Sequence, residues 1–265
     1  MPPPPKTRLD KLLLERGLVS TRERAQALIL AGRVLVSEQK AEKPGASVPS
    51  DAPIRLLGDD LRYVSRGGLK LEAALAHWGI ELTGRFCLDV GASTGGFTDC
   101  MLQHGAARVL AIDTGYGQIA QTLRDDPRVT LRERTNARLL RPGDLPAGIS
   151  LMAIDVSFIS ATLVLPAVFG AVREAPAPVP SVGHASDAVR QTPLEAVILV
   201  KPQFEAGRKH VGKGGIVRDS AAHQQAIDRV RSCALETGAR NLDVIDSPII
   251  GAEGNREFLL HAVWS

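Results

Sequence analysis

A glycine-rich turn directly after an apolar strand is the feature that most restricts how this chain can fold. Residues 85–90 predict a buried strand, and residues 91–99, which include three glycines, follow it without a break. Beyond this point apolar runs alternate with helical patterns, which is typical of a mostly parallel sheet covered by helices. Such a turn lets the backbone approach a ligand at the carboxyl edge of the sheet. The sequence therefore predicts an α/β fold with a ligand site beside this turn.

The spacing around the turn indicates which ligand could bind there. Ser93 occupies the second glycine position of Gly-x-Gly-x-x-Gly, so the dinucleotide pattern is incomplete, and the Lys-Ser/Thr of a phosphate-binding loop is missing. Asp89 precedes the turn, and Asp113 ends the next predicted strand, residues 108–113. A carboxylate at that second position can accept hydrogen bonds from ribose hydroxyls. This pattern favours S-adenosyl-L-methionine, which has a ribose but no pyrophosphate.

A second glycine-rich run, residues 207–214, is similar to a phosphate-binding loop. Gly214 stands where Ser or Thr should hold magnesium, however, and no strand directly precedes the run, so nucleotide hydrolysis is not favoured. We interpret the run as a mobile basic loop beside the active site that could hold an RNA backbone. Its candidate contacts are Arg208, Lys209, Lys213 and Arg218. The alternative is a solvated surface loop.

The basic excess of the chain lies in its first quarter. Residues 1–62 contain 11 Lys and Arg against 8 Asp and Glu, a surplus that equals the net charge of +3 of the whole chain. Nucleic-acid modules concentrate Lys and Arg locally in this way. The alternative is a solvated charged face on a small helical subdomain.

Local patterns in this first quarter predict two helices and a short strand. Helical spacing over residues 8–16 ends at Gly17, and a second helix is predicted from a capping box at Ser20 and Glu23 to Gly32. Residues 33–37 form a short β-branched run. This arrangement would leave three arginines for solvent or phosphate, namely Arg22, Arg24 and Arg33.

Four side chains could assist the loss of a proton from a hydroxyl group. They are Lys70, ahead of the first predicted strand of the sheet; Asp155, after residues 151–154; Lys201, after residues 196–200; and Glu257, before the last strand. Ligands bind at the carboxyl ends of strands in such sheets. Burial lowers the pKa of a lysine, which suits this task, and a neighbouring carboxylate opposes that shift but fixes the geometry. Each of the four could instead be an ordinary surface charge.

Several motifs together resemble the TlyA family, the hemolysin A proteins. The motifs are Tyr-Val-Ser-Arg-Gly-Gly-Leu-Lys-Leu at 63–71, Asp-Val-Gly-Ala-Ser-Thr-Gly-Gly-Phe-Thr-Asp at 89–99, Asp-Val-Ser-Phe-Ile-Ser at 155–160, Val-Lys-Pro-Gln-Phe-Glu at 200–205 and Gly-Asn-Arg-Glu at 254–257. Residues 8–57 are similar to the small RNA-binding domain named after a small-subunit ribosomal protein. The resemblance implies an α+β RNA-binding domain at residues 1–62 and an FtsJ-like methyltransferase domain at residues 63–265. The implied methyltransferase sheet is Rossmann-like and parallel with one antiparallel strand.

The resemblance also implies functional residues. The catalytic set would be Lys70, Asp155, Lys201 and Glu257, with Lys201 activating a ribose 2′-hydroxyl. The S-adenosyl-L-methionine contacts would be Asp89, Gly91, Ala92, Ser93, Thr94, Gly95, Gly96, Phe97, Asp113 and Asn136. The RNA contacts would be Arg8, Lys11, Arg22, Arg24, Arg33, Arg66, Arg208, Lys209 and Lys213. Known family members methylate cytidine ribose in ribosomal RNA, so the expected partners are ribosomal RNA or ribosomal subunits.

Three other functions are less compatible with the sequence. A membrane-lysing toxin would need a secretion signal and an amphipathic or membrane-spanning segment, and neither pattern is found, so we expect a cytoplasmic protein with no membrane partner. An RNA-binding assembly factor with a relic methyl-donor pocket, or an enzyme with another acceptor, is the alternative. Histidine and cysteine spacing indicates no metal site, and the oligomeric state is left open. Residues 174–195, rich in Pro and Ala, are expected to form a flexible insertion.

Overall fold

A computed structural model describes residues 5–19, 21–57, 62–175, 193–251 and 254–264. The chain divides into two compact units, residues 1–61 and residues 62–265, named here the N-terminal unit and the C-terminal unit. The expected insertion at residues 174–195 lies outside the described residues over 176–192. None of the helices in the described ranges has both the length and the apolar character needed to cross a membrane.

The N-terminal unit is a small α+β structure. Its described elements are β1 (Lys6–Arg8), α1 (Leu9–Glu15), α2 (Arg22–Leu30), β2 (Val34–Val36), β3 (Gln39–Lys40), β4 (Ser47–Pro49) and β5 (Ile54–Leu56). Strand β1 pairs with β4, and β2 lies between β3 and β5, all antiparallel. Leu9 and Leu13 of α1 and Ile29 of α2 have no exposed surface and form the core between the helices. Burying each such side chain contributes about 1.5–3 kcal/mol.

The helix ends in this unit follow from local residue types. The chain leaves α1 and α2 through Gly17 and Gly32, whose φ angles of 64° and 65° are easy only for glycine. Helix α2 begins one residue later than the predicted capping box. Thr21 is its N-cap, because Thr21 Oγ1 accepts a hydrogen bond from the Arg24 backbone N–H at 3.1 Å, whereas Ser20 lies outside the described residues.

The C-terminal unit is the larger α/β structure. Its described elements are α3 (Gly67–Trp78), β6 (Phe86–Val90), α4 (Gly96–Gln103), β7 (Arg108–Ile112), α5 (Gln121–Arg124), β8 (Val129–Arg132), β9 (Ile149–Ile154), α6 (Leu165–Arg173), β10 (Leu194–Val200), α7 (Pro202–Glu205), α8 (Ser220–Glu236), β11 (Asn241–Asp246) and β12 (Phe258–Trp264). Within the described residues the strands form one seven-stranded sheet in the order β11-β12-β10-β9-β6-β7-β8. In that sheet β12 runs antiparallel to the other six strands, so the predicted mostly parallel fold with one antiparallel strand is confirmed.

Alternation along the strands divides the core into two layers. On β9, Met152 and Ile154 belong to the apolar cluster that packs under α6 and α8, whereas Leu151 and Ala153 belong to the cluster under α3 and α4. All four residues have no exposed surface. Successive side chains on a strand point to opposite faces, so a sheet covered on both sides needs apolar residues at every position.

The sheet register places the predicted catalytic residues at one edge. Ile154 on β9 pairs with Val90 on β6 and with Ile198 on β10, so β6 and β9 end at the same level and β10 continues to Val200. Val200 on β10 pairs with Phe258 on β12. The next residue along β10 is Lys201, and the residue just before Phe258 is Glu257. Lys201 and Glu257 are therefore neighbours on adjacent strands, at the carboxyl end of β10.

Candidate active site

The glycine turn after β6 brings two backbone segments into close contact. Gly91 has a φ of 88°, and a Cβ atom placed on it would lie 2.3 Å from the Asp155 carbonyl oxygen. No side chain could fit there without moving the backbone. The Asp155 N–H also donates to the Val90 carbonyl oxygen at 2.9 Å. Glycine at position 91 thus allows the turn to lie directly against the segment that carries Asp155.

A cavity of about 190 Å³ opens beside this turn. It lies at the carboxyl ends of β6, β7 and β9, as expected for a ligand site in such a sheet. Its lining residues are Val90, Gly91, Ile112, Asp113, Thr114, Thr135, Asn136, Ala137, Val156, Ser157, Ile159 and Val164. Three predicted cofactor residues are in this set, namely Gly91, Asp113 and Asn136. The others, Asp89 and residues 92–97, do not line the cavity, although the turn they form borders it.

Asp113 and Asn136 are both held in place by the backbone. Asp113 Oδ2 accepts from the Ser93 N–H at 2.8 Å and Oδ1 accepts from the Gly115 N–H at 2.6 Å. Asn136 caps a short 3₁₀ turn, Ala137–Leu139, by accepting from the Arg138 N–H at 3.1 Å. A carboxylate oxygen has two lone pairs, so Asp113 keeps capacity to accept from a ligand hydroxyl.

Asp89 lies beneath the turn and not in the cavity wall. It has no exposed surface, and Thr98 Oγ1 donates to its Oδ2 at 2.6 Å. Within the described residues, Asp89 Oδ1 has no hydrogen-bond partner. Burial raises the pKa of Asp89 to about 7, and the nearby Asp155 and Asp113 carboxylates act in the same direction, while the bond from Thr98 opposes them. Asp89 therefore links β6 to α4 and supports the turn from below.

Lys201 and Asp155 form the first of two buried ion pairs at this edge. Lys201 Nζ lies 2.6 Å from Asp155 Oδ1 and donates to Ser157 Oγ at 2.7 Å. The Lys201 side chain is only about a tenth exposed. Because Ser157 lines the cavity, Lys201 is one hydrogen bond away from the ligand space.

Lys70 and Glu257 form the second pair. Lys70 lies in the first turn of α3, and its Nζ donates to Glu257 Oε2 at 2.5 Å. Both side chains are buried, and Gly251 leaves room for the carboxylate, since a Cβ there would lie 2.5 Å from Glu257 Oε1. Residues that are 187 positions apart in the chain therefore meet, and each buried charge has an opposite partner.

Comparison with known proteins gives the family. Residues 63–264 match the FtsJ-like methyltransferase family, and residues 7–53 match the S4 domain. This chain belongs to the FtsJ-like methyltransferases. The predicted relationship to the TlyA and hemolysin A proteins is confirmed as well. The chain is 42% identical to "16S/23S rRNA (cytidine-2'-O)-methyltransferase TlyA" of Mycobacterium tuberculosis over 96% of this chain and 89% of the relative.

Two further similarities cover nearly all of this FtsJ-like methyltransferase. The chain is 37% identical to "Hemolysin A" of Brachyspira hyodysenteriae over 97% of this chain and 99% of the relative. A solved structure from Streptococcus thermophilus, described as a candidate hemolysin, aligns with a TM-score of 0.69 and 41% identity. That alignment covers 98% of this chain and 89% of the other. The relationship therefore extends over both units.

In this FtsJ-like methyltransferase, hydrogen bonds hold the second half of the basic loop, residues 212–217. Asn255, which is fully buried, accepts from the Val217 N–H at 3.0 Å and donates to the Gly215 carbonyl oxygen at 2.9 Å. The Gly212 N–H also donates to the Ile216 carbonyl oxygen at 3.0 Å. These bonds restrain residues 212–217, and the mobility expected of the run at 207–214 stays a prediction. Lys209, Lys213 and Arg218 are exposed on this loop, while the Arg208 side chain lies outside the described residues.

Arg22, Arg24 and Arg33, which were expected to be left for solvent or phosphate, have interaction partners in the protein, and Arg22 is also half exposed. Asp10, which has no exposed surface, pairs with Arg8 at 2.9 Å and with Arg22 at 3.0 Å. Arg33 Nε donates to the Leu57 carbonyl oxygen at 2.8 Å, and Arg24 also has an interaction partner. A buried carboxylate needs donors, and Arg8 and Arg22 supply them to Asp10.

Two other predicted RNA contacts also have partners. Lys11 lies 3.5 Å from Glu15, one helical turn further along α1. Arg66, at the start of α3, donates through Nη2 to the Ile250 carbonyl oxygen at 2.8 Å. Both side chains are exposed around these contacts, so each keeps other donors available.

Sequence reasoning missed two buried polar residues near the ion pairs, Asn255 and Glu205. Each lies inside a motif that resembles the family, at 254–257 and 200–205, so the motif contained them but did not reveal their contacts. Their roles depend on which distant backbone groups they reach, which no local pattern shows. In the described part of the chain, no group of three His, Cys, Asp or Glu side chains has the arrangement of a metal site.

Proposed function

We propose that this protein transfers a methyl group from S-adenosyl-L-methionine to the ribose 2′-hydroxyl of a cytidine in ribosomal RNA. The observation that carries the proposal is the position of Lys201, whose Nζ contacts both Asp155 and the cavity residue Ser157. The activity named for the Mycobacterium tuberculosis relative supports the same reaction. We also propose that residues 1–62 act as the RNA-binding domain and residues 63–265 as the methyltransferase domain.

The cavity beside the glycine turn fits S-adenosyl-L-methionine. Its apolar walls, from Ile112, Val156 and Ile159, suit an adenine ring, and Asn136 lies among them to hydrogen-bond that ring. Asp113 is held by two backbone donors and can accept from ribose hydroxyls. We propose that residues 91–97 hold the remainder of the donor, with Asp89 supporting them from beneath.

The two ion pairs suit the acceptor hydroxyl. When bound, S-adenosyl-L-methionine supplies an electrophilic methyl group. The ribose hydroxyl must lose its proton as it attacks, so a positioned base or a positive charge beside the oxygen lowers the barrier. We assign Lys201, in its uncharged amine form, as the acceptor of the hydroxyl proton, and Asp155 would fix the position of its Nζ. Lys70 and Glu257 would orient the ribose hydroxyl and stabilise the reacting geometry.

RNA binding is assigned to cationic side chains of both units. The proposed contacts are Arg8, Lys11, Arg22, Arg24, Arg33, Arg66, Arg208, Lys209 and Lys213. The match of residues 7–53 to the S4 domain supports the first five. Arg8 and Arg22 remain about half exposed beside Asp10, so their outer guanidinium edges can meet phosphate oxygens. The expected partners are free ribosomal RNA or ribosomal subunits in the cytoplasm.

Labelled methyl transfer tests the proposal directly. The purified protein is incubated with radiolabelled S-adenosyl-L-methionine and with unmodified small subunits, large subunits and free ribosomal RNA. We expect label at cytidine, in a form that resists alkaline cleavage because a 2′-O-methyl group blocks attack by the 2′-oxygen. Alkali-sensitive label would place the methyl group on a base. Binding of the cofactor without any label would favour the assembly-factor alternative and would contradict the proposal.

A further inference from the structure

Glu205 is a buried carboxylate that the proposed chemistry does not use. It ends α7, four residues after Lys201, and it is 2% exposed. Burial raises its pKa, while hydrogen bonds from Ser160 and Ala161 oppose that shift. Burying a carboxylate costs free energy unless hydrogen-bond donors satisfy it, so the donors that bind Glu205 should be held firmly in place.

Both carboxylate oxygens of Glu205 bind the segment that follows β9. Ser160 Oγ donates to Oε2 at 2.5 Å, and the Ala161 N–H donates to Oε1 at 2.6 Å. Ser160 is the N-cap of a short 3₁₀ turn, Ala161–Leu163. Glu205 therefore ties the loop after β10 to the loop after β9 at the point where the second loop begins to turn.

These contacts close a ring around the first ion pair. Lys201 and Asp155 meet at one end of the two loops, and Glu205 and Ser160 meet at the other. The enclosed part of the β9 loop contains Ser157, the hydrogen-bond partner of Lys201. It also contains Ile159, and Val164 follows the 3₁₀ turn; these two line the cavity together with Ser157. One carboxylate thus restrains both the ion pair and a wall of the cavity.

The main chain at Glu205 is anchored separately from its side chain. Arg229 of α8 donates through Nη1 to the Glu205 carbonyl oxygen at 3.0 Å. A substitution of the side chain leaves this bond in place, so α7 should keep its position. Loss of the carboxylate would then release the Ser160 and Ala161 donors. The effect of these two bonds on the loop after β9 can therefore be tested separately from the position of α7.

We infer that Glu205 is a positioning residue, which sets the separation of Lys201 and Ser157 from the acceptor hydroxyl by clamping the loop between Asp155 and Ala161. The inference rests on the proposed methyl transfer. Misplacing a catalytic group by about 1 Å can cost about 100-fold in rate. The clamp acts on the geometry of the reacting groups and not on RNA affinity, so it should affect kcat more than KM for RNA.

The test compares Glu205→Ala, Glu205→Gln and Ser160→Ala with Glu195→Ala. Glu195 is a matched control, because it lies near the start of the same strand, β10, and pairs there with Arg85 and His261. We expect Glu205→Ala to lower kcat by about 10- to 100-fold while KM for RNA stays within about threefold of the wild type. Glu205→Gln should recover most of the rate, since its carbonyl can accept from Ala161 and its amide can donate to Ser160 Oγ. Ser160→Ala, which removes one of the two bonds, should give an intermediate rate.

A second readout does not depend on turnover. Amide hydrogen exchange over residues 156–164 should speed up in Glu205→Ala, return toward the wild type in Glu205→Gln, and stay unchanged in Glu195→Ala. Calorimetric binding of S-adenosylhomocysteine then reports on the cavity wall. If Glu205→Ala does not fold, the Glu205→Gln and Ser160→Ala variants decide through the same two readouts.

The possible outcomes separate the two proposals. Wild-type kcat and wild-type exchange in Glu205→Ala, or equal losses of kcat in Glu205→Ala and Glu195→Ala, would overturn the positioning role. Failure of the wild-type protein to methylate RNA would overturn the proposed function. In that case faster exchange at residues 156–164 in Glu205→Ala would still establish the clamp, and its absence would refute it.

Discussion

Two aspartates without exposed surface, one in each unit, have pKa values that are shifted in opposite directions. Asp10 in the N-terminal unit accepts hydrogen bonds from Arg8, Arg22 and Gln26. Its pKa lies well below the usual range, chiefly because of the hydrogen bond from Arg8. Asp89 in the C-terminal unit has the Thr98 hydroxyl as its side-chain donor, and burial raises its pKa to about 7. The partner, and not burial alone, decides the charge state of a buried carboxylate.

The paired cations of the two units differ in how much of their side chains is exposed. Arg8 and Arg22 have side chains 52% and 50% exposed, although the carboxylate they share is buried. Lys70 and Lys201 have side chains only 11% and 10% exposed, and their carboxylate partners are largely buried too. The N-terminal unit thus holds cations at its surface, where phosphates can reach them. In the C-terminal unit, Lys70 and Lys201 lie away from bulk water, where geometry matters more than attraction.

Substitution of Lys201 should have the largest effect. Lys201→Ala removes the group assigned to the hydroxyl proton, so we expect the rate of methyl transfer to fall by about 100- to 10,000-fold. Single-turnover kinetics with labelled S-adenosyl-L-methionine measure this change. Lys201→Arg is a sharper variant, because Arg keeps the charge beside Asp155 but does not release a proton.

Binding of S-adenosylhomocysteine is the control for both Lys201 variants. It should stay close to the wild type, since in the described part of the chain Lys201 does not line the cavity and contacts its wall through Ser157. Unchanged turnover in Lys201→Ala would contradict the assignment. Substantial turnover in Lys201→Arg would show that positive charge is sufficient and that Lys201 does not act as a base.

Breaking the second pair should destabilise the C-terminal unit. Lys70→Met leaves Glu257 buried without a cation, and we expect the free energy of unfolding to fall by about 3–5 kcal/mol. The double variant Lys70→Met, Glu257→Leu should regain most of that stability and still show no methyl transfer. Urea denaturation and the labelled assay measure the two quantities.

The exposed Arg256–Asp246 pair is a matched control, since Arg256 is the neighbour of Glu257 and both side chains are more than half exposed. Arg256→Met should change the free energy of unfolding by less than about 1 kcal/mol. If Lys70→Met were no more destabilising than Arg256→Met, the contrast between buried and exposed cations would fail.

Asp89→Asn should change how stability depends on pH. Folding raises the pKa of Asp89 from 3.8 to about 7, so the folded protein binds this proton more tightly than the unfolded chain. The contribution of Asp89 to the free energy of unfolding therefore falls as pH rises from about 4 to about 7, by on the order of 4 kcal/mol. Asn does not titrate, so the variant should gain stability relative to the wild type over this range. Parallel pH profiles of the two proteins in urea denaturation would disprove the raised pKa.

Asp10→Asn should show the opposite trend at a smaller scale. Folding lowers the pKa of Asp10, so its stabilising contribution is complete above the ordinary value of 3.8 and is lost as pH falls below it. At pH 7 we expect a loss of about 1–2 kcal/mol, reduced because the arginine partners are half exposed. Asp51→Asn, at an exposed position of the same unit, is the control. A difference from the wild type that persists unchanged at pH 2 would refute the role of the carboxylate charge.

The smallest effect is expected from surface arginines in RNA binding. Arg22→Gln with Arg24→Gln should weaken RNA binding and reduce the slope of log affinity against log salt by about 1–2. Arg16→Gln is the control, because Arg16 donates to the backbone carbonyl oxygens of Ser50 and Ala52. Filter binding at several salt concentrations gives the slopes. Equal slopes for the double variant and the wild type would show that these arginines do not meet phosphate.

Local patterns predicted the elements of both units well. The strands around the glycine turn, the helices that end at Gly17 and Gly32, and the position of Asp113 all depend on residues within one element, so periodicity and capping residues indicate them. The antiparallel strand β12 came from the resemblance, because strand direction depends on pairing between distant segments. Thr21 replaced Ser20 as the observed cap, since adjacent Ser and Thr residues can both cap a helix.

Local residue patterns are sufficient to predict the alternation of strands and helices, the glycine turn that needs positive φ at Gly91, and the presence of cationic and acidic residues at the strand ends. Which charges are partners depends on the tertiary structure. Lys70 meets Glu257, Arg22 meets Asp10, and Glu205 reaches Ser160 across two loops. Long-range pairing is set by sheet register and by the need to satisfy every buried polar group, and neither condition can be read from a single segment.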